Sequence, residues 1–281
     1  MMLPFLIFFF TFTVLPVFSS IVLSLTNFNL LQFPDFIGLK NYKKLFLNDN
    51  IFITAIKNTF VIAVITGPIG YLLAFLMAWL INELPRRIRA FLTIIFYAPS
   101  ISGNAYLIFT LIFSSDPYGY LNAKLLDLGI IDSPVLWLQD SKYILTIVIL
   151  VSLWMSLGVG FLSFVAGLQT IDKTQYEAGA IDGISNRWQE LWYITLPNMK
   201  PQLMFGAVMS ITNALGVGDI TVALAGFPSP NYAAHTIVNH LNDYGFIRME
   251  MGYASAIAVI LFAAMLISNR LVQKFIKRVG T

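Results

Sequence analysis

Few residues of this chain are of a type and spacing that could do chemistry, and most of them sit in apolar surroundings. Gly216-Val217-Gly218-Asp219 places a carboxylate beside two glycines inside an apolar run. Aspartyl hydrolysis needs two carboxylates sharing one proton. The preceding apolar run, Tyr143 to Leu168, supplies no second Asp, and the nearest, Asp140 and Asp172, lie beyond its opposite ends. His235 and His240 are five residues apart, which keeps them off a common helix face, and no acidic residue stands at ligand spacing, so no metal site is expected. The absence of cysteine excludes a thiolate nucleophile, a thiolate metal site and a disulfide framework. No P-loop occurs, so any ATP must be bound elsewhere than on this chain. What remains are amides, hydroxyls and aromatic rings within apolar runs: Ser210, Thr212 and Asn213; Ser152, Ser156 and Ser163; Ser100, Ser102 and Asn104. Polar groups in such runs are expensive and face a cavity or another helix. Rings stack on the flat faces of a solute, and amides and hydroxyls bond its polar groups, so Asn213, Trp154 and Tyr106 are the candidate pathway residues.

The elements that must position these groups are membrane helices. The 281 residues are 58% hydrophobic and 11% charged, with a mean hydropathy of +0.77. A soluble domain carries about 25% charge, so neither a soluble fold nor disorder fits. The net charge of +3 suits membrane loops and does not point to nucleic acid. Six runs reach the ~20 residues that a span needs: Met2 to Leu25, Phe52 to Leu80, Phe91 to Phe113, Tyr143 to Leu168, Leu203 to about Leu224, and Tyr253 to Phe275. Asn213, Gly216, Gly218 and Asp219 interrupt the fifth. The first lacks a basic leader and is too long for a signal peptide, so it reads as a retained span, with a short cytoplasmic leader either missing or absent. Arg86, Arg87 and Arg89, then Lys173, Arg187 and Lys200, then Arg270, Lys274, Lys277 and Arg278 share one side; the short arginine loop and the tail are the densest, which puts both termini in the cytoplasm. Asp116, Asp127, Asp132 and Asp140 cluster on the outer side. An all-α, single-domain membrane protein is expected over residues 1–281.

The segment Gln169 to Pro201 is long for a connector. It reads as two short helices around a turn at Gly183, with Thr174 and Glu177 in the capping-box pattern. Asn186 with Gln189 is expected to cap the second helix, and Pro197 and Pro201 to stop it. Trp188, Leu191, Trp192 and Ile194 make that helix amphipathic. Asn231 to Asp243 is expected to form a short outer helix that docks a partner protein.

Glu177-Ala178-Gly179-Ala180-Ile181-Asp182-Gly183, followed by Ile194-Thr195-Leu196-Pro197, resembles the EAA loop of ABC importer permeases, and the wider string resembles their carbohydrate-uptake, maltose-type branch. Two departures are Gly179 in place of Ala and one extra residue near Asn186 and Arg187. The likeness covers nearly the whole chain: Gly38 to Tyr42 after the first span, Asn58-Thr59 with Pro68 in the second, Pro99 where the third span is usually broken, Ala166 to Leu168 before the loop, and Gly252 to Ala256 opening the last. The resemblance implies a six-helix permease subunit of a bacterial or archaeal inner membrane. It would pair with a second, different permease and two ABC ATPases, and receive sugar from an extracytoplasmic binding protein. It implies no cofactor on this chain, ATP and Mg being held by the ATPases. It also implies that Glu177, Ala178, Gly179, Asp182 and Gly183 contact the ATPase, with the small residues admitting a foreign surface closely, and that Asn213 stands at a sugar-binding position. An intramembrane aspartyl protease is the alternative for the Gly216 to Asp219 pattern, weakened by the missing second aspartate.

Overall fold

A computed structural model describes residues 2–276. The first helix, α1 (Leu3–Leu23), has no buried residue although its hydropathy is the highest of the chain's span candidates, as expected of a helix whose solvent is lipid. Its end is tied to α2 (Lys40–Leu47). The Asn41 amide donates to the carbonyls of Ser24 and Thr26 at 2.9 and 2.8 Å, and the Tyr42 hydroxyl donates to Ser24 Oγ. The Gly38 to Tyr42 motif is therefore a clamp on the mouth of the first span. The long helix α3 (Asn50–Asn82) starts at Asp49, whose carboxylate accepts the Phe52 N–H at 2.9 Å, and runs through Pro68. At 33 residues it is about 50 Å long and reaches well past a ~30 Å hydrocarbon layer.

The third expected span is two helices, α4 (Arg86–Ile101) and α5 (Ala105–Ile112), bent by 83°. The break falls at Ser102 to Asn104, where Gly103 takes φ +66°; Pro99 stays inside α4. After α6 (Tyr120–Asp127), the fourth span is α7 (Ile144–Trp154) and α8 (Val159–Thr170) with an interruption at Met155 to Gly158. The loop helix α9 (Lys173–Ile181) follows. Then α10 begins as Arg187–Glu190 and continues through a π-helical turn, Leu191–Thr195, into Leu196–Asn198. The fifth span is α11 (Lys200–Leu215) and α12 (Asp219–Ala225). A short outer helix, α13 (Ile237–Asn242), precedes the sixth, α14 (Met251–Ile276). Five helices, or six counting the bent α4–α5 pair, are long and apolar enough to cross a membrane.

Helix α3 is the axis of the packing and lies against α8 and α11; α14 lies against α11 and α1. Close approach of α8 and α11 depends on Gly206, because a Cβ there would run into the Phe164 ring. Tyr71 and Phe75 of α3 meet the same ring edge-on at 5.4 and 5.7 Å. One end of the bundle is closed by Ile81, Leu168, Leu191, Met199 and Ile276, which gathers the end of α3, the 169–201 loop and the end of α14 as the charge count groups them. Lys277 and Arg278, part of that count, lie outside the described residues. The opposite end is closed by Leu45, Phe52, Ile237, Tyr244 and Tyr253.

Candidate functional site

The 169–201 loop is two helices around a Gly183 turn with φ +92°, as its sequence predicts, but two details differ. The cap of α9 is Asp172, whose carboxylate accepts the Thr174 N–H at 3.0 Å; Thr174 caps nothing. Asn186 caps α10 as expected, accepting the Gln189 N–H at 2.9 Å, and the Gln189 side chain returns the bond to the Ser185 N–H. Pro197 does not stop α10. The π-helical turn just before it shifts the bonding pattern, so helical structure continues to Asn198 and resumes at Lys200. Leu191 and Ile194 turn inward, whereas Trp188 and Trp192 stay exposed.

The five motif residues part company here. Glu177, Ala178, Asp182 and Gly183 are exposed on one rim, together with Ile181 at 87% exposure. The Glu177 side chain makes no hydrogen bond or ion pair among the described residues, so it does not cap its own helix. Gly179 is buried instead. A Cβ on it would stand 2.6 Å from Ile194 Cδ1 and 3.1 Å from Ile184 Cδ1, so its smallness serves contact within the loop, not the approach of a foreign surface. That explains Gly in place of Ala. The segment with the extra residue has a visible function: Arg187 pairs with Glu83 at the end of α3 at 2.6 Å and with Glu190 at 2.8 Å. The Glu190 hydrogen bond and the Glu83 charge hold its guanidinium pKa above the usual range.

Midway along the bundle, between the two closed ends, is a cavity of about 540 Å³. Hydroxyls line it from α3 (Thr66), α4 (Ser100), α7 (Ser152) and α11 (Ser210, Thr212), with the Asn213 amide, the Tyr106 ring and Asp219. The interruptions in the spans are what open it: Gly103, Ser156, Gly216 and Gly218 all lie on its wall. Buried Ser152 Oγ has no hydrogen-bond partner among the described residues. Of the three candidate pathway residues, Asn213 and Tyr106 come together here. Trp154 does not line the cavity; its ring packs edge-on against Phe109 at 5.1 Å. Asp219 is the only carboxylate on the wall among the described residues, so a proton-sharing pair is not assembled.

The outer segment holds a cluster that spacing alone does not reveal. His235 and His240 are both buried, with His235 Nε2 3.2 Å from His240 Nδ1, because His235 lies just before α13 and not on it. His240 Nε2 reaches Asp49 Oδ2 at 3.0 Å, and the Tyr253 hydroxyl donates to the same oxygen at 2.8 Å. Burial pushes His235 down to about 4 and lowers His240 as well, against the opposing pull of Asp49. No group of three metal-ligating side chains forms among the described residues. Asn58 donates to the carbonyls of Tyr232 and His235 at 2.9 and 3.0 Å, and Thr59 accepts the Ile237 N–H. The Asn58-Thr59 motif thus fastens this segment to α3. Most of residues 234–240 is buried, so the expected docking helix presents little surface of its own.

Residues 68–281 match the family described as "Binding-protein-dependent transport system inner membrane component". The chain belongs to that family. It is 33% identical to the "Probable ABC transporter permease protein YesP" of Bacillus subtilis (strain 168), over 91% of this chain and 82% of that one. It is 30% identical to the arabinooligosaccharides transport system permease protein AraP of the same organism, over 94% and 83%. Among solved structures it is similar to a bacterial ABC transporter involved in the import of the acidic polysaccharide alginate, with a TM-score of 0.79 and 25% identity over 99% of this chain and 94% of that chain. The chain is accordingly a multi-pass helical permease subunit of an ABC transporter, and the loop and cavity described above belong to a permease.

Proposed function

We propose that the chain is one membrane-spanning half of an ATP-driven importer that carries a sugar or oligosaccharide inward. The observation that carries this reading is the mid-bundle cavity: hydroxyls, the Asn213 amide and the Tyr106 ring are the groups that bond sugar hydroxyls and stack on sugar faces. Curated relatives named for arabinooligosaccharide and lactose transport support it. The exposed rim of Glu177, Ala178, Ile181, Asp182 and Gly183 is the contact for an ATPase subunit, which holds ATP and Mg. Because α10 runs almost without interruption into α11, a push on that rim is passed to the helix that carries Asn213. The loop end faces the cytoplasm, with both termini there. The opposite end receives solute from an extracytoplasmic binding protein, and a second, different permease completes the pathway. A solved relative was crystallised with an alginate-pentasaccharide-bound periplasmic protein, which is in keeping with this arrangement.

The test is co-purification of the chain with its ATPase and binding protein, identification of the bound solute by mass spectrometry, and uptake of that solute into vesicles. A saccharide is expected, and Asn213→Ala should lower its uptake or shift preference among saccharides while the complex still assembles. A non-saccharide solute, or normal uptake by Asn213→Ala, would overturn the reading or the role of Asn213 respectively.

A further inference from the structure

A second cavity, of about 630 Å³, opens toward the outer end and is lined by Val222, Phe227, Asn239, Asn242 and Phe246 among others. Two residues line both it and the mid-bundle cavity: Tyr106 and Asp219. They therefore stand between the outer cavity and the site that holds Asn213. The Tyr106 hydroxyl donates to Asn104 Oδ1 at 3.1 Å, which fixes the ring at this position. The Asp219 side chain is exposed to the cavities and makes no hydrogen bond or ion pair among the described residues. A carboxylate within a span is costly. The first turn of the short helix α12 favours an acidic group only weakly, and no cation offsets it. Among the described residues that line either cavity there is no Lys, Arg or His.

We propose that Asp219 is a specificity-determining residue: its carboxylate between the two cavities screens solutes by charge, admitting neutral and cationic saccharides and excluding anionic ones. The chemistry is direct. A carboxylate accepts hydrogen bonds from the hydroxyls of a passing sugar, and such charge-assisted bonds are strong. The same group repels a uronate or sulfonate at short range, where low-dielectric walls focus the field. The neutral hydroxyls and amide deeper in the cavity offer an anion no compensating positive charge. This inference rests on the sugar reading above, but its test does not use sugars, so the two can fail separately.

The chain has no cysteine, which permits a single introduced thiol behind Asp219. Thr212 lines the mid-bundle cavity and not the outer one. In right-side-out vesicles containing the assembled importer, Thr212→Cys is labelled with a cationic (trimethylammonium-ethyl) or an anionic (sulfonato-ethyl) methanethiosulfonate. The ratio of the two rates cancels the acidity of the thiol itself. With Asp219 present the cationic reagent should react faster. Asp219→Asn should lower the cation-to-anion ratio about tenfold, and Asp219→Lys should lower it by about tenfold again, the scale of a unit charge acting on opposite probes at water-like screening. An unchanged ratio across Asp, Asn and Lys would overturn charge selection. No labelling by either reagent would overturn it too, since the cavities would then not communicate past Asp219.

Discussion

The two ends of the bundle each carry a polar segment between membrane helices, and they treat their polar groups in opposite ways. In the 169–201 loop, Glu177 and Asp182 stand on an exposed rim, and Glu177 has no partner among the described residues. In the outer segment, Thr221, Thr236, Asn239, His235 and His240 are buried. They are joined to one another and to Asp49 by bonds such as Thr236 Oγ1 to the Val217 carbonyl at 2.8 Å and Asn239 Nδ2 to Thr221 Oγ1 at 2.8 Å. Buried polar groups that are bonded give rigidity, and here only His235 Nδ1 is left without a partner among the described residues, whereas exposed unpaired groups contribute little to the fold and are free for another surface. The outer segment is scaffolding for the cavity mouth. The loop leaves its outward face uncovered, as the proposed ATPase contact requires.

The largest expected effect that sharpens this contrast is on assembly. Glu177→Lys should reduce recovery of the ATPase with the purified chain by more than about tenfold. Its unfolding midpoint in detergent should stay at the wild-type value, since the Glu177 side chain makes no bond or ion pair among the described residues. A drop in midpoint with full ATPase recovery would reverse the assignment. Next, Asn58→Ala should act the other way. It strands the carbonyls of Tyr232 and His235 and should cost about 2–3 kcal/mol of stability, read as a lower unfolding midpoint with ATPase recovery retained.

The histidine pair gives a pH signature that the loop lacks. An unfolded histidine titrates near 6.5, whereas burial holds His235 down at about 4. Between these values the unfolded chain binds protons that the folded chain does not. Stability is therefore full above about pH 6.5 and falls as pH drops toward 4, at up to about 1.4 kcal/mol per pH unit for each histidine. His235→Phe should flatten that slope in a denaturation series. A slope unchanged by the substitution would mean that the pair is not the source. The smallest effect is expected at Gly179→Ala. The added methyl pushes on Ile194 and Ile184, flexible side-chain ends that can turn away, so the cost should be about 1 kcal/mol, with a slight fall in ATPase-coupled uptake.

Much of the loop was legible because its signals are local. A glycine that must take positive φ, an asparagine three residues before a backbone N–H, and a motif run of small residues around one acid need no distant partner to be recognised. The errors there are local too: Asp172 outcompeted Thr174 as the cap, and a π-helical turn carried the helix through Pro197. The outer cluster was not legible. Spacing kept His235 and His240 apart, but a helix that begins at Ile237 leaves His235 on non-helical backbone, free to fold back on His240. The acid that completes the set, Asp49, is nearly two hundred residues away in the chain and no periodicity connects them.

The sequence by itself determined the solvent, the helical class, the six apolar runs and which loops share an end, because a bilayer leaves a chain so poor in charge no other way to satisfy its backbone. It also marked Asn213 and Tyr106 as polar groups that needed a reason to be in a span. Only the tertiary structure decided that these two meet on one wall while Trp154 does not, that Gly179 faces inward while Glu177 faces out, and that Asp219 lines two cavities at once. Those outcomes depend on where each span breaks and how far its two halves turn, as at the 83° bend before Ala105. Glycines mark where a span breaks, but how far its halves turn is set by packing against helices distant in the chain, and the sequence carries no record of that.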